Sequence, residues 1–391
     1  MAEKILFVDD DANLLASCER NLRRRYPLET AAGGELGLEK ISMHGPYAVV
    51  VSDMQMPGMN GIELLAEVRK LHPQTSRIII SGFTDQAEAA DSLNCTHLFI
   101  PKPFDVSLLR ATLARIGSLD AYLKDDKLKG LAGKMRALPS FPTLYLDIMR
   151  EIESPTSSIQ GIAKIVAKDP GILAKVLHVA NSAAMGLSET VNDPTEAVQQ
   201  LGMTTVRSLV LSAQVYGNFA PGRLKGFSAD ALWSHLMKCG DLARTIMRRE
   251  HAAFADSEDA FTAGMLHDMG KLMLADSLPE EFGKALALAA EEKISQAEAE
   301  MEIFGATHAG LAAYLFGLWG LPASIVEAVA FHHNPEKSDF KKCSALTAVH
   351  VANSFYDQTG TAPMNQEYLA EIGVADRLED WQDTAAELQM E

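Results

Sequence analysis

The chain has 391 residues, of which 47% are hydrophobic and 22% charged, a composition that excludes a fibrous or wholly disordered protein. Its length predicts two or more folding units. Its formal charge of −17 argues against broad contact with nucleic acid backbones, so DNA binding is a poor hypothesis.

The sequence contains no segment that we expect to enter or cross a membrane. The apolar runs are far shorter than the roughly 18 residues that a membrane span requires. Acidic residues follow the short apolar stretch near the N-terminus, which does not fit a signal peptide. The four cysteines are far apart and form no CxxC pair, so they are expected to be buried, reduced thiols. We therefore expect a cytoplasmic protein.

The first 116 residues alternate between short apolar runs and helical patterns. The expected strands are Ile5 to Val8, Leu28 to Ala31, Ala48 to Val51, Arg77 to Ile80 and His97 to Ile100. The expected helices are Asn13 to Arg25, Gly34 to Ser42, Gly61 to Leu71, Asp85 to Leu93 and Asp105 to Ile116. This alternation predicts an α/β fold with a doubly wound parallel five-stranded sheet.

Polar residues stand where the expected strands end. They are Asp9, Asp10, Asp53, Ser81 and Lys102. The carboxyl ends of parallel strands share one edge of the sheet, so the three carboxylates should converge there and require a hard cation such as Mg²⁺. This arrangement predicts metal-assisted phosphoryl transfer, with Asp53 as the nucleophile and Lys102 stabilising the transferred group.

These residues resemble the receiver domain of two-component response regulators. The resemblance is carried by VDD at Val8 to Asp10, SDMQMPGMNG at Ser52 to Gly61, SG at Ser81 to Gly82 and KPF at Lys102 to Phe104. It implies that a sensor histidine kinase phosphorylates Asp53, and that Asp9, Asp10, Asp53 and the Gln55 carbonyl bind Mg²⁺. It further implies that Ser81 and Lys102 contact the phosphoryl group, and that Ser81 and Phe99 form a switch.

The chain after residue 143 shows repeated helical windows and no alternating strand pattern. The windows are separated by Asp169 to Gly171, Asn192 to Pro194, Pro221 to Gly222 and Leu321 to Pro322. An all-α domain is therefore expected. Asp169 should cap a helix that has Pro170 at its first position.

Most of the histidines fall in this region, and several surround a His–Asp doublet at His267 and Asp268. The order of the polar residues resembles the HD superfamily of metal-dependent phosphohydrolases. That resemblance implies a site for Fe, Mn or Zn formed by His235, His267, Asp268, His308, His332 and His333, with Lys271 contacting phosphate. His178, His251 and His350 are interpreted instead as structural residues.

Two features weaken the enzyme interpretation. The superfamily closes its site with an aspartate where this chain has Asn353, and a neutral amide binds a metal more weakly than a carboxylate does. Three segments between Leu138 and Ser212 resemble the HDOD domain, an HD-related output module that is generally regulatory: LPSFPTLYLDIMREI, IVAKDPGILAKVLHVANSAAMGL and AVQQLGMTTVRSLVLS. The resemblance implies a bacterial response regulator whose output domain binds a protein or a small ligand. A phosphohydrolase acting on a nucleotide or cyclic dinucleotide is the alternative.

We expect a receiver domain over residues 1–120, a helical linker over 121–137, an HDOD domain over 138–354 with its HD-like core from about residue 230, and an acidic segment over 355–391. The acidic segment carries nine acids and one base and is expected to be a solvated terminal face. The resemblance also suggests a homodimer. The kinase, the downstream partner and the process are not specified by the sequence.

Overall fold

The computed structural model describes residues 4–81, 96–102, 143–180, 191–217, 224–357 and 362–390, together with isolated positions between 104 and 132. The chain divides into two compact units, one formed mainly within residues 1–141 and the other mainly after residue 141. None of the helices in the described ranges has the length and apolar character needed to cross a bilayer.

The first unit is a parallel sheet covered by helices. Its strands are β1 (Ile5–Asp9), β2 (Leu28–Ala32), β3 (Val49–Asp53), β4 (Ser76–Ser81) and β5 (Leu98–Pro101), in the spatial order β2-β1-β3-β4-β5. Its helices are α1 (Ala12–Leu22), α2 (Gly34–His44) and α3 (Gly61–Leu71). All neighbouring strands are parallel, which confirms the predicted doubly wound α/β class.

The strands form where short apolar runs can be buried on both faces of the sheet. Every residue of β1 and β3 is buried, including the terminal Asp9 and Asp53. The register pairs Val8 with Ser52 and Asp53 with Ile80, so the carboxyl ends of the strands are aligned at one edge. The observed strand ends differ from the predicted ones by one or two residues. The helix predicted over Asp85 to Leu93 lies outside the described residues.

The second unit is all-helical in its described parts, as predicted. Its helices are α4 (Thr143–Glu153), α5 (Ile159–Val166), α6 (Pro170–Ala180), α7 (Pro194–Leu201), α8 (Met203–Gly217), α9 (Ala229–Arg249), α10 (Phe254–Leu266), α11 (Met269–Ser277), α12 (Pro279–Glu292), α13 (Gln296–Phe304), α14 (His308–Trp319), α15 (Ala323–Phe331), α16 (Ala345–Tyr356), α17 (Gln366–Glu371) and α18 (Leu378–Met390). Asp169 Oδ1 accepts a hydrogen bond from the Ile172 backbone N–H at 3.1 Å, which confirms the predicted cap of α6.

Helices α9, α10, α15 and α16 form the centre of this unit. Helix α9 packs against α10 and α16, and α15 packs against both α10 and α16. Apolar residues such as Leu236, Phe261 and Val351 are completely buried between these helices, together with several polar residues. This packing places the ends of α10 and α15, and polar positions of α9 and α16, around a common centre.

The expectation that residues 355–391 form only a solvated face is wrong. Trp381 and Leu369 are completely buried, and the Trp381 indole N–H donates a hydrogen bond to Glu250 at 3.1 Å. The acidic residues of this segment lie mostly on the outside, while apolar side chains at helical spacing face inward and α18 packs against α9. Because acidic residues are frequent in this segment, its apolar residues at helical spacing were not recognised from the sequence.

In the first unit, the Glu29 carboxylate joins β2 to the end of α2 and to residues before β1 and β3. Lys4 Nζ lies 2.8 Å from Glu29 Oε1, while the Tyr47 hydroxyl and His44 Nδ1 lie 2.9 and 3.0 Å from Oε2. Burial by itself would raise the pKa of Glu29, but these three hydrogen bonds outweigh it and lower the pKa from 4.5 to about 2. The ionised carboxylate is therefore stabilised in the folded protein.

We expect Glu29→Gln to lower the free energy of unfolding by about 1 kcal/mol at pH 7, because the partners are partly exposed. A lowered folded-state pKa stabilises the fold above the unfolded value of 4.5, and that stabilisation is lost as pH falls toward about 2. Chemical denaturation at several pH values measures the difference, which should shrink with acidification. Glu39→Gln, on the exposed side of α2, is the control, and an equal effect of both variants would contradict the assignment.

Candidate functional site

Three carboxylates meet at the carboxyl-terminal edge of the sheet. Asp9 ends β1, Asp53 ends β3 and Asp10 follows Asp9, and carboxylate oxygens of the three lie within 4.8 Å of one another. Lys102 follows β5, and its Nζ is 2.7 Å from Asp53 Oδ1 and 3.5 Å from Asp9 Oδ2. The structure thus brings together four of the residues that the sequence placed at strand ends.

This acid cluster has more negative charge than Lys102 can neutralise. Burial raises the pKa of both Asp9 and Asp53, and Lys102 offsets that effect only in part. Asp9 Oδ1 accepts a hydrogen bond from the Asp11 backbone N–H, whereas buried Asp9 Oδ2 has no hydrogen-bond partner among the described residues. A hard divalent cation with oxygen ligands fits this donor set.

The structure does not test the predicted roles of three further residues, Ser81, Phe99 and Gln55. The side chains of Ser81 and Phe99 lie outside the described part of the structure, although their backbones belong to β4 and β5. Gln55 is exposed in the loop after β3, beside Met54. The roles of Ser81, Phe99 and the Gln55 carbonyl stay predictions.

The second unit brings the six predicted metal ligands together, with five histidines around the Asp268 carboxylate. Asp268 lies between α10 and α11, and only 1% of its surface is exposed. The histidines come from four places in the fold: His235 from α9, His267 from the end of α10, His308 from the start of α14, and His332 and His333 from the end of α15.

The two oxygens of Asp268 face different histidines. Oδ2 lies 3.8 Å from His235 Nε2 and 3.6 Å from His267 Nε2. Oδ1 lies 3.0 Å from His308 Nε2 and 3.5 Å from His332 Nε2. His333 Nε2 is 3.2 Å from His308 Nε2 on this second side. A carboxylate with histidines beside each oxygen is suited to bridging two metal ions.

Backbone hydrogen bonds orient two of these rings. His267 Nδ1 lies 2.8 Å from the Gly264 carbonyl and His332 Nδ1 lies 2.9 Å from the Val329 carbonyl. A carbonyl can only accept, so Nδ1 carries the proton in both rings and Nε2 presents a lone pair toward Asp268. Neither His332 Nε2 nor Asp268 Oδ1 has a hydrogen-bond partner among the described residues, although both are buried. Two facing unprotonated atoms of this kind fit a metal ion between them.

Glu300 contacts one of the clustered histidines, and the sequence analysis did not predict it. It is completely buried, and its Oε2 lies 2.6 Å from His308 Nδ1 and accepts the His308 backbone N–H at 2.7 Å. A carboxylate that holds the far nitrogen of a ligand histidine is a common feature of metal sites. No sequence signal marked Glu300, because it stands among other acids of α13 that are exposed.

Two close backbone approaches allow the ligands to meet. A Cβ on Gly264 would lie 2.6 Å from the Gly240 Cα, so α9 and α10 can touch there only because both residues lack side chains. A Cβ on Gly270 would lie 2.1 Å from the His308 carbonyl oxygen, which brings the start of α11 against the start of α14. These contacts set the distances from His235 and His308 to Asp268.

The pKa shifts of the clustered histidines differ in direction: burial lowers four of them, whereas for His308 the Glu300 and Asp268 carboxylates outweigh burial and raise the pKa. Burial lowers the pKa of His235 and His332, and lowers that of His267 and His333 well below the usual value. Burial opposes ionisation of Asp268, but Lys271, at 2.5 Å from Oδ2, and the histidines hold its pKa well below the ordinary range. Neutral imidazoles beside a carboxylate are in the protonation states that bind transition metals.

A cleft of about 470 Å³ opens next to this cluster. Its lining includes His235, Asp268, Lys271, His333 and Asn353. Asn353 Oδ1 lies 3.1 Å from His235 Nε2, so the amide stands at the edge of the cluster where the superfamily has an aspartate. A small molecule in the cleft could therefore reach both the cluster and the Lys271 ammonium.

His350 has a different role from the clustered histidines. Its Nδ1 donates to the His332 carbonyl at 2.7 Å and its Nε2 accepts the Asn365 backbone N–H at 2.9 Å. Both ring nitrogens are therefore satisfied, in agreement with the structural role expected for this residue. The interpretation of His251 as a buried structural residue is wrong, because its side chain is exposed, and the side chain of His178 lies outside the described residues.

Comparison with known proteins identifies two domain families in this chain. Residues 5–114 match the response regulator receiver domain and residues 138–335 match the HDOD domain. The response regulator ArlR of Staphylococcus aureus is 31% identical over 115 residues, which cover 29% of this chain and 52% of ArlR.

The region shared with other proteins also extends into the helical part. An uncharacterized protein of Treponema pallidum is 26% identical over 228 residues, covering 57% of this chain and 43% of that protein. The chain thus spans about half the length of these relatives. The crystal structure of an HDOD domain protein of unknown function from Geobacter sulfurreducens is 22% identical, with a TM-score of 0.57, and covers 70% of this chain and 95% of that structure. This similarity establishes the fold of the helical part.

We expect Glu300→Gln to weaken metal binding at the cluster by about 10–100-fold, because the amide no longer anchors His308 with a charge. Titration of the chelator-treated full chain with Zn²⁺ or Mn²⁺, followed by calorimetry, measures the affinity. Glu302→Gln is the matched control, since Glu302 lies on the same helix and is exposed. Equal affinities for the two variants would show that Glu300 has no part in the site.

Proposed function

Because the chain belongs to the HDOD domain family and carries a response regulator receiver domain before it, we propose that it is a bacterial two-component response regulator with HDOD as its output module. The observation that carries this proposal is the convergence of Asp9, Asp10, Asp53 and Lys102 at one edge of the sheet. That arrangement supplies a nucleophile, cation ligands and a fixed positive charge in one place.

In the proposed reaction, an Asp53 carboxylate oxygen attacks the phosphorus of a phosphohistidine on a sensor histidine kinase. A P–O bond to Asp53 forms as the P–N bond to the kinase breaks, and the histidine leaves as neutral imidazole after taking up a proton. Asp9, Asp10, Asp53 and the Gln55 carbonyl would hold Mg²⁺, which would neutralise charge on the phosphoryl oxygens. Lys102 pairs with those oxygens after leaving its contact with Asp53.

The proposed switch uses Ser81, at the end of β4, and Phe99, within β5, which both follow the receiver pattern. Phosphorylation would bias the receiver between two states through these residues, and residues 121–137 would transmit the bias to an HDOD domain over 138–354. Such coupling requires that the interaction free energy of the phosphoryl group be more favourable in one state of the receiver than in the other.

We expect Asp53→Asn to abolish labelling of the protein by a small radiolabelled phosphodonor in the presence of Mg²⁺, because an amide cannot form the acyl phosphate. Asp11→Asn is the control: Asp11 is an exposed helix cap near the cluster, and asparagine caps equally well. Phosphate incorporation is counted after gel separation. Labelling of Asp53→Asn at the level of the control would refute the assignment of the phosphoacceptor.

For the output, we propose that the HDOD domain recognises a protein or a small ligand and that phosphorylation of Asp53 controls this recognition. The cleft beside the histidine cluster supports a ligand of nucleotide size, with Lys271 available to an anionic group. The absence of a carboxylate at Asn353 favours binding over hydrolysis, since one metal ligand is weaker than in the superfamily pattern.

A metal-dependent phosphohydrolase acting on a nucleotide or cyclic dinucleotide is the second candidate. One observation favours it: Asp268 has histidines beside both oxygens, and two facing buried atoms, Asp268 Oδ1 and His332 Nε2, lack partners among the described residues. Two adjacent metal ions could activate water and bind a phosphoryl oxygen. The proposed metal is Fe, Mn or Zn, which suit imidazole ligands.

Elemental analysis of the full chain, purified without chelators, tests the metal site on which the second candidate depends. We expect one or two transition-metal ions per chain, and loss of them in the His267→Ala, Asp268→Ala double variant, because both removed side chains face the site. His251→Ala is the control, as His251 is exposed and is not one of the clustered residues.

The same preparation is then incubated with cyclic dinucleotides. Turnover that disappears in the double variant would establish the hydrolase, whereas ligand retention without turnover would establish the binding module. Absence of metal from the wild-type chain would exclude the hydrolase.

A further inference from the structure

We propose that this chain binds a single transition-metal ion, and that the ion lies on the Oδ1 side of Asp268. Its other ligands are His308, His332 and His333. On the Oδ2 side, Lys271 already supplies the positive charge that a second ion would bring. This inference rests on the metal site proposed above, and it specifies the stoichiometry and the ligand set of that site.

The Oδ1 side contains two buried atoms that need a partner. Asp268 Oδ1 and His332 Nε2 lie 3.5 Å apart, and neither has a hydrogen-bond partner among the described residues. The Val329 carbonyl holds the proton of His332 on Nδ1, so Nε2 is an acceptor, as the carboxylate oxygen is. Two acceptors cannot satisfy each other, and leaving both unpaired in the interior is costly. A cation between them removes that cost.

The rings on the Oδ1 side present Nε2 to the carboxylate. Glu300 Oε2 holds Nδ1 of His308 at 2.6 Å, and the Val329 carbonyl holds Nδ1 of His332 at 2.9 Å. Because Nε2 lies across the imidazole ring from Nδ1, both Nε2 atoms are directed away from these partners. Their lone pairs are therefore available to an ion at Asp268 Oδ1.

The distances on this side fit the ligands of one ion. Bonds of about 2.0–2.2 Å to nitrogen and oxygen place neighbouring ligand atoms of a tetrahedral ion roughly 3.3–3.5 Å apart. His308 Nε2 lies 3.0 Å from Asp268 Oδ1 and 3.2 Å from His333 Nε2. One ligand atom from each of the four side chains lies within 4.8 Å of the other three. Small shifts of the side chains can therefore close them around an ion.

The Oδ2 side differs because its atoms already have partners. Lys271 Nζ lies 2.5 Å from Asp268 Oδ2, so this oxygen accepts a charge-assisted hydrogen bond. A metal ion on Oδ2 would have to displace the ammonium. The positive charge of Lys271 also repels a cation that approaches from the same side.

The two histidines of the Oδ2 side are satisfied by hydrogen bonds as well. His235 Nε2 lies 3.1 Å from Asn353 Oδ1 and 3.3 Å from His267 Nε2. His267 carries its proton on Nδ1, which donates to the Gly264 carbonyl, so its Nε2 accepts. His235 Nε2 is then the donor to these two acceptors. A protonated nitrogen has no lone pair for a metal, so His235 is not a ligand in this arrangement.

The charges of the buried groups favour one ion over two. Asp268 and Glu300 are buried carboxylates, and Lys271 is in contact with the first of them. With neutral histidines these groups leave one negative charge, which a single divalent ion converts into one positive charge. A second divalent ion would raise the balance to three positive charges, which is costly away from water. The single positive charge suits an anionic ligand in the cleft, which His333 lines.

Metal titration of the full chain tests the stoichiometry. The protein is stripped with chelator and titrated with Zn²⁺ in a calorimeter, and bound zinc is counted by elemental analysis after gel filtration. We expect one ion per chain. Two ions per chain would overturn this inference and leave the proposed metal site intact, whereas failure to bind Zn²⁺ would overturn both.

Two histidine variants, one from each side of Asp268, locate the ion. We expect His332→Ala to lower the Zn²⁺ affinity by at least roughly 10–100-fold, the loss typical of removing even an outer partner of a metal ligand. His235→Ala should still bind one ion with nearly the wild-type affinity. Circular dichroism checks that both variants fold. Loss of the ion from His235→Ala, or its retention in His332→Ala, would overturn the inference.

A gain of stoichiometry decides the question even if an alanine variant fails to fold. The Lys271→Gln, Asn353→Asp double variant removes the ammonium from Asp268 Oδ2 and places a carboxylate beside His235. We expect it to bind two Zn²⁺ ions per chain. Lys238→Gln, at an exposed lysine that lines the same cleft, is the control and should bind one ion. A single ion in the double variant would contradict the role given to the Oδ2 side and overturn the inference.

Discussion

The buried carboxylate of Asp268 is the constraint on which the helical unit depends. An ionised carboxylate in an apolar interior is stable only with compensating charge or hydrogen bonds. Lys271 supplies the charge at 2.5 Å, and four histidines approach the two oxygens. The surrounding helices are arranged to make this possible: Gly240 and Gly264 let α9 and α10 touch, and Gly270 lets α11 approach His308.

The acid cluster of the first unit follows the same physical logic. Asp9 and Asp53 are buried at the ends of β1 and β3, burial raises their pKa values, and Lys102 relieves the repulsion only in part. In each site one lysine contacts a buried aspartate, and at least one carboxylate oxygen has no hydrogen-bond partner among the described residues. Both sites therefore have donor sets that suit a cation, with hard oxygen ligands in the first unit and imidazoles in the second.

Neighbouring hydrogen bonds determine which histidines can serve as ligands. The Nδ1 atoms of His267 and His332 donate to backbone carbonyls, so their Nε2 atoms face Asp268 as acceptors. Buried Glu300 orients His308 from the outside. His350 lies close by in the chain but uses both nitrogens for backbone contacts. A histidine can therefore act as a metal ligand only where one ring nitrogen is left without a backbone hydrogen bond.

Local sequence patterns were sufficient to predict the doubly wound sheet, the all-helical second part, and the residues that meet at Asp53 and Asp268. Strand periodicity is local, and polar residues at strand ends or in a His–Asp doublet stand out against apolar runs. The burial of Trp381, the contact of Glu300 with His308 and the 3.5 Å separation of Cys239 Sγ from His235 Nε2 became visible only in the folded chain. Each of these contacts depends on how separate helices pack, and an acid, a tryptophan or a lone cysteine has no local pattern that reveals its distant neighbours.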